Sequence, residues 1–257
     1  MTNTPPTREF IEKSLLKHDW YKNTNQEVKN QLLNLPEDFN GFLENLAERP
    51  DEIGEVDVQK LVKISHGNYM VIPVFEVRSN ITNQLFTYEY VSWKTGDNPG
   101  MRGIIFLETE GEITHFLVSK SHKFSTTKPV YDSIGGLFFR VFDNKPQNLP
   151  KKMEQEICFH LGLEKLNFKK VIDLGKINPD YGMTNNSSSL FAAIIDISEI
   201  PNLTTKWDFR STHKPIGFEI EIVHINEFGD YINKINDNYF LGAVARLITH
   251  KEIELEY

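Results

Sequence analysis

Residues 150–163, PKKMEQEICFHLGL, bring several reactive side chains together at helical spacing. The pattern predicts a helix from Pro150 to Leu161. Proline suits a first helical position, where its missing N–H is not needed, and Gly162 suits the C-terminal cap. Met153, Ile157 and Leu161 recur every fourth residue as an apolar stripe, with Glu154 and Glu156 to either side of it. Glu156, Phe159 and His160 share one face, because positions three and four apart on a helix are neighbours. That face carries one carboxylate, one aromatic ring and one imidazole. Upstream, Gly135 and Gly136 would let backbone N–H groups approach an anion. Other chemistries do not assemble. His115, His122 and His160 lack a zinc-ligand spacing and there is one cysteine, Cys158. Cys158 and His160 sit two apart on the helix and point in different directions. The run Ser187-Ser188-Ser189 lacks the glycine frame of a nucleophile elbow, and no glycine loop of the P-loop type is present.

The stretch Gly135 to Leu163 reads as a glycine pair, a short apolar strand, a polar loop and this helix. It resembles the signature of the Nudix family, a glycine-containing loop followed by a helix ending in arginine-glutamate-apolar-x-glutamate-glutamate-x-glycine-apolar. Here the segment is Gln155-Glu156-Ile157-Cys158-Phe159-His160-Leu161-Gly162-Leu163. Glu156, Ile157 and the Gly162-Leu163 end are kept. Gln155 stands in place of the arginine, Phe159 and His160 stand in place of the two glutamates, and Gln147 replaces the earlier glutamate. The loop after Gly136 is also longer than is usual in the family. Nudix chemistry attacks a pyrophosphate with water, while clustered carboxylates hold divalent metals that neutralise the phosphates and activate the water. Magnesium prefers oxygen ligands in near-octahedral geometry, so this face makes a poor magnesium site. Two readings of the segment follow: a Nudix-like fold that binds but hardly hydrolyses, as the resemblance implies, or an unrelated strand–loop–helix. If magnesium is used, its ligands are Glu156 and Glu154, with Asp143 in the long loop standing in for the carboxylate missing at Gln147.

The resemblance widens along the chain. Arg102 to Lys123, RGIIFLETEGEITHFLVSK plus SHK, reads as a β-hairpin turning at Glu110-Gly111. The order of preceding strands, hairpin, glycine pair, helix and strand is similar to the ADP-ribose and nucleotide-sugar pyrophosphatase group of the family. So is Asn178-Pro179-Asp180-Tyr181-Gly182-Met183-Thr184 followed by Leu190-Phe191-Ala192-Ala193, although Asn185 and Asn186 stand where that group places an acidic residue. A strand from Glu219 to Ile225 and a helix from Tyr239 to Thr249 complete a likeness that spans roughly Val56 to His250. The hairpin alone also resembles a segment of the nucleotide-sugar 2,3-dehydratases. The implied ligand is a nucleoside-diphosphate-linked small molecule. Arg102, Lys120, Lys123 and Arg140 would meet its phosphates, Gly135 and Gly136 would meet them through the backbone, and Tyr131, Phe138 or Tyr181 would stack on its base. The polar loop Asn178 to Ser189 lies between two apolar strands, a common place for binding groups.

The expected fold class is α/β: a Nudix-like α/β/α sandwich with a mixed sheet, preceded by an N-terminal helical extension (residues 1–55) and a small antiparallel sheet, the Nudix-like domain running from 56 to 257. Thr7 caps a helix with Phe10, Ile11, Leu15 and Leu16. Gln26 to Leu35 makes a second helix, and Phe39, Phe42, Leu43 and Leu46 make the stripe of a third. His18 reads as a solvated helix-end residue. From Val56 the pattern turns to strands: Val58 to Ser65, Tyr69 to Arg78 and Leu85 to Trp93. A net charge of -8 argues against a nucleic-acid partner. The lone cysteine favours a reducing compartment. The polar start and the absence of a long apolar run favour a cytoplasmic protein without a membrane partner. A homodimer is compatible with all of this. Three functions remain open: a binder of a nucleotide sugar or ADP-ribose with hydrolysis weak or lost, a magnesium-dependent pyrophosphohydrolase with displaced ligands, and a scaffold that docks a partner through its helical arm.

Overall fold

The computed structural model describes residues 7–123, 125, 128–137, 151, 153–155, 157–158, 163–200, 206–209 and 218–250. By their contacts they form two compact units, the first built from the described residues within 7–99 and 180–187 and the second from those within 100–137, 151–179 and 188–250.

The first unit opens with four helices, α1 (Arg8–Leu15), α2 (Asp19–Asn23), α3 (Gln26–Leu33) and α4 (Asn40–Ala47). Thr7 caps α1 by accepting from the Phe10 N–H, and Asn25 caps α3 by accepting from the Val28 N–H. The helices pack on a five-stranded antiparallel sheet of β1 (Glu52–Ile53), β2 (Val56–His66), β3 (Met70–Ser79), β4 (Leu85–Glu89) and β5 (Ser92–Trp93). One core joins them: Leu15, Trp20, Leu32 and Phe42 from the helical side meet Leu61, Val71 and Phe75 from the strands. The pattern change at Val56 thus marks a change of secondary structure within a shared core. The strand expected over Leu85 to Trp93 is interrupted, because Tyr90 and Val91 leave the ladder and Val91 bridges to Thr184 instead.

His18 departs from the solvated residue expected. It precedes α2, its Nδ1 lies 3.2 Å from Asp51 Oδ1, its Nε2 lies 2.8 Å from the Ala47 carbonyl, and its ring stacks on Trp20. Helical periodicity could not show this, since both polar partners lie more than one element away.

The second unit is organised on the predicted hairpin, β6 (Gly100–Thr109) and β7 (Glu112–Lys123). Its turn is Glu110-Gly111, both at positive φ (55° and 93°), which matches the right-handed twist of the flanking strands. Further strands are β8 (Lys128–Asp132), β9 (Ile134–Leu137), β10 (Phe168–Ile177), β11 (Ser188–Asp196), β12 (Lys206–Phe209) and β13 (Phe218–His224). The sheet order is β10-β11-β6-β7-β13-β12, with β8 on β7 and β9 on β6. The β11–β6 pair is parallel and the remaining described pairs are antiparallel, so the sheet is mixed.

The helices of this unit are α5, in which residues 151, 153–155 and 157–158 are helical, α6 (Phe228–Lys234) and α7 (Asn238–His250). Alternate residues of β6 and β11, namely Ile104, Phe106, Leu190, Ala192 and Ile194, share a core with Phe240, Ala243, Val244 and Leu247 of α7. The intervening Ile105, Leu107, Phe191, Ala193 and Ile195 are buried as well, so these central strands are covered on both faces. Met153 and Ile157 of the expected α5 stripe are buried, and so is Cys158, while Leu161 lies outside the described residues. No described helix is long and apolar enough to cross a membrane.

His115 and His224 sit opposite each other on β7 and β13, their rings 5.1 Å apart. Burial first, and His224 second, push the His115 pKa below the usual histidine value. As the pH falls, the unfolded chain therefore takes up this proton before the folded one. The contribution of His115 is fully present above the ordinary histidine range and is lost as the pH falls through the folded value. Melting curves recorded from about pH 8 to about pH 5 should fall less steeply for His115→Gln than for the parent chain.

Candidate functional site

The site begins with the way the hairpin opens. β6 pairs with β7 over residues 105–109, but over residues 100–103 it pairs with β9. β7 pairs with β8 over residues 119–123. The two hairpin strands thus part at one end, and the consecutive strands β8 and β9 fill the fork. Ser133, the residue between them, is 1% exposed. Both its N–H and its hydroxyl donate to Asp237 Oδ2, at 2.8 and 2.6 Å. Asp237 also accepts from the N–H groups of Tyr239 and Phe240, at 3.2 and 3.3 Å. One carboxylate therefore closes the fork and caps the first turn of α7.

Gly135 lies in β9 directly opposite Arg102. Its φ is +150°, and a Cβ there would overlap the Met101 carbonyl oxygen, so the strand can lie this close to β6 only with glycine at that point. Gly136 pairs with Met101 in the same ladder. The half-buried Arg102 places its guanidinium 6.0 Å from the centre of the Tyr239 ring, within cation–π range.

Lys120 projects from β7 into a ring of partners. Its ammonium is 3.4 Å from Glu221 and 3.8 Å from Glu219, and it lies 5.7 Å from the centre of the Tyr131 ring. Tyr131 first, then the two carboxylates, hold its pKa above the usual lysine value against the opposing effect of burial. Glu221 is buried and also accepts a 2.9 Å hydrogen bond from the Tyr231 hydroxyl. Burial, followed by that bond, raises the Tyr231 pKa. Lys120 is therefore engaged in holding Glu221. Lys120→Met should cost about 2 kcal/mol by leaving a buried carboxylate without its counter-ion; the figure is discounted from the full buried-pair value because Lys120 is 26% exposed. Urea denaturation measures it, and pairing the change with Glu221→Gln should recover part of the loss.

Lys123 Nζ lies 2.5 Å from Asp132 Oδ2, and Asp132 also accepts from the Ser121 hydroxyl at 3.2 Å. Beside this pair opens a pocket of about 540 Å³, bounded by Lys123, Lys128 and Tyr131 on the β7–β8 side, by Lys234 at the end of α6, and by Asp237 and Tyr239 at the start of α7. Lys128, Lys234, Asp237 and Tyr239 escaped the sequence reading. They come from segments with no spacing relation to the hairpin, and the one local signal was the turn-forming run Asn236-Asp237-Asn238 before the apolar stripe of α7.

Of the residues expected at the site, Arg102, Gly135 and Gly136 lie on the paired strands β6 and β9, whereas Lys120 and Lys123 lie on β7 where it pairs with β8. Glu154 is helical and half-buried in α5. Tyr181 is 84% exposed and belongs to the first unit, within a loop held to that unit by Val91 and Asp97 backbone bonds. Arg140, Asp143 and Glu156 lie outside the described residues, as do Phe159 and His160. Burial first, and Glu154 second, push the Cys158 thiol pKa up, which suits inert packing. Among the described residues no group of three or more His, Cys, Asp or Glu side chains could hold a metal.

No family model matches the chain, and no curated protein matches it in sequence. In shape it is similar to a solved crystal structure of an ADP compounds hydrolase, with a TM-score of 0.56 and 8% identity over 79% of this chain and 99% of that one. At that identity the likeness shows the fold alone. The fold is the one expected from the sequence, a Nudix-like α/β arrangement of helices with antiparallel and mixed sheets.

Proposed function

We propose that the protein binds a nucleoside-diphosphate-linked metabolite, of the ADP-ribose or nucleotide-sugar class, in the cytoplasm, and that its pyrophosphate hydrolysis is weak or lost. The observation that carries this reading is Arg102 of β6 paired against the Gly135-Gly136 strand, with Lys123 on β7 past the point where the two hairpin strands part. Cations are what a pyrophosphate needs. The shape shared with an ADP compounds hydrolase supports the ligand class. The sparse carboxylates of the α5 segment support the loss of turnover, since metal-assisted attack on a pyrophosphate needs a cluster of them.

Calorimetric titration with ADP-ribose and UDP-glucose, with and without magnesium, tests the binding, and release of nucleoside monophosphate from the same compounds tests the turnover. Saturable binding with release near background is the expected result. Rapid magnesium-dependent release that disappears in Glu156→Gln would replace this reading with that of a working hydrolase using Glu156, Glu154 and Asp143. No binding of either compound would remove the ligand class.

A further inference from the structure

The pocket at the start of α7 carries a small positive excess on an acidic chain. The chain carries a net charge of -8, yet the lining holds three lysines, Lys123, Lys128 and Lys234, against two aspartates, Asp132 and Asp237. One aspartate pairs with a lysine of the same lining, and the other caps a helix. Asp132 is taken by Lys123 and Ser121. Asp237 accepts four hydrogen bonds from Ser133 and the first turn of α7, so its charge is met by the positive end of that helix. The helix start is accordingly already capped, and any anion in the pocket must be held by lysine ammonium groups.

Lysine is a point charge without the planar fork that arginine offers, and a cluster of lysines suits a compact dianion such as a phosphate monoester. The other walls mix the amides of Asn236 and Asn238 with Pro129, Val130, Pro179 and the half-buried rings of Tyr131 and Tyr239. Tyr131 is braced by the edge of Tyr231, at 5.8 Å between centroids, and Tyr239 by the Arg102 guanidinium. Rings fixed in this way give flat surfaces on which a base can stack at small entropic cost. At about 540 Å³ the pocket falls within the size range of small-molecule sites.

We propose that this pocket seats one nucleoside-monophosphate unit of the ligand, its phosphate on Lys128 and Lys234 and its base against Tyr239. The assignment rests on the reading above, and Arg102 links the two: it faces Tyr239 on one side and stands opposite Gly135 on the other. The remainder of a nucleoside-diphosphate-linked compound then extends from the pocket toward the glycine pair.

AMP, UMP, ribose 5-phosphate, inorganic phosphate and ADP-ribose are titrated calorimetrically into the full chain and into Lys128→Met, Lys234→Met, Tyr239→Leu and Tyr239→Phe. Both lysines are exposed, so their removal leaves the fold in place. Each lysine substitution should weaken AMP about tenfold, as expected for a charge-assisted contact. Tyr239→Leu should weaken AMP and UMP but leave ribose 5-phosphate unchanged, and Tyr239→Phe should retain the parent affinity. If ADP-ribose binds and none of the four substitutions alters it or AMP, the pocket assignment falls while the ligand class stands. If AMP binds through the lysines and ADP-ribose does not bind, the pocket stands and the diphosphate reading falls. If no compound binds, both fall.

Discussion

Replacing Gly135 with alanine should destabilise the protein by about 3 kcal/mol, from roughly equal contributions of backbone strain and steric overlap. The residue sits at φ +150°, where a side chain is strained whatever the space around it, and its new Cβ would overlap the Met101 carbonyl oxygen and stand 3.0 Å from Arg102 Cα. These neighbours are backbone atoms of a strand buried on both faces, so neither can swing aside. The chain can relieve the clash only by moving β9 away from β6, which opens the fork and takes Ser133 away from Asp237. For a protein of this size the cost corresponds to a fall in melting temperature of roughly 10 °C. Gly67→Ala is the control, because nothing lies within 4 Å of a Cβ there; it should stay within about 0.5 kcal/mol of the parent. A Gly135→Ala chain that melts with the parent would mean that β9 does not lie in this register against β6.

The same position shows what the sequence could and could not convey. The hairpin was legible because its signal is local: Glu110-Gly111 supplies two positive-φ residues between two runs rich in β-branched and aromatic residues. The apolar stripes of α5 and α7 were legible for the same reason. The segment KPVYDSIGGL carries a proline and two glycines, and within itself nothing in it demands a strand. It becomes β8 and β9 because β6 and β7 diverge and leave two unpaired edges, which is a property of the assembled sheet. The site behaves likewise. Arg102, Lys120 and Lys123 could be nominated because they flank a recognisable hairpin. That Lys120 is spent on Glu221, a residue 101 positions away, could not. Nor could periodicity reveal that Tyr239, Asp237 and Lys234 would line the pocket beside Lys123, since α6 and α7 announce only the faces they bury.

Asp237 couples this architecture to binding, and removing it should move stability and affinity in opposite directions. Asp237→Ala deletes the cap of α7, worth about 1 kcal/mol. It also strands the Ser133 N–H and hydroxyl at a position with almost no access to water, which adds about 2 kcal/mol. A total near 3 kcal/mol is therefore expected in urea denaturation. Asp237→Asn should fall between the two, because its one carbonyl oxygen can serve Ser133 or Tyr239 while its amide group would face the other donor. Among molecules that stay folded, loss of this carboxylate raises the positive excess of the pocket from one charge to two, so AMP should bind more tightly to Asp237→Asn than to the parent at low salt, with the gain shrinking as salt is added. A group kept for the fold at the expense of the ligand predicts that split. If Asp237→Asn loses affinity and stability together, then Asp237 touches the ligand, and the lysines do not hold the phosphate alone.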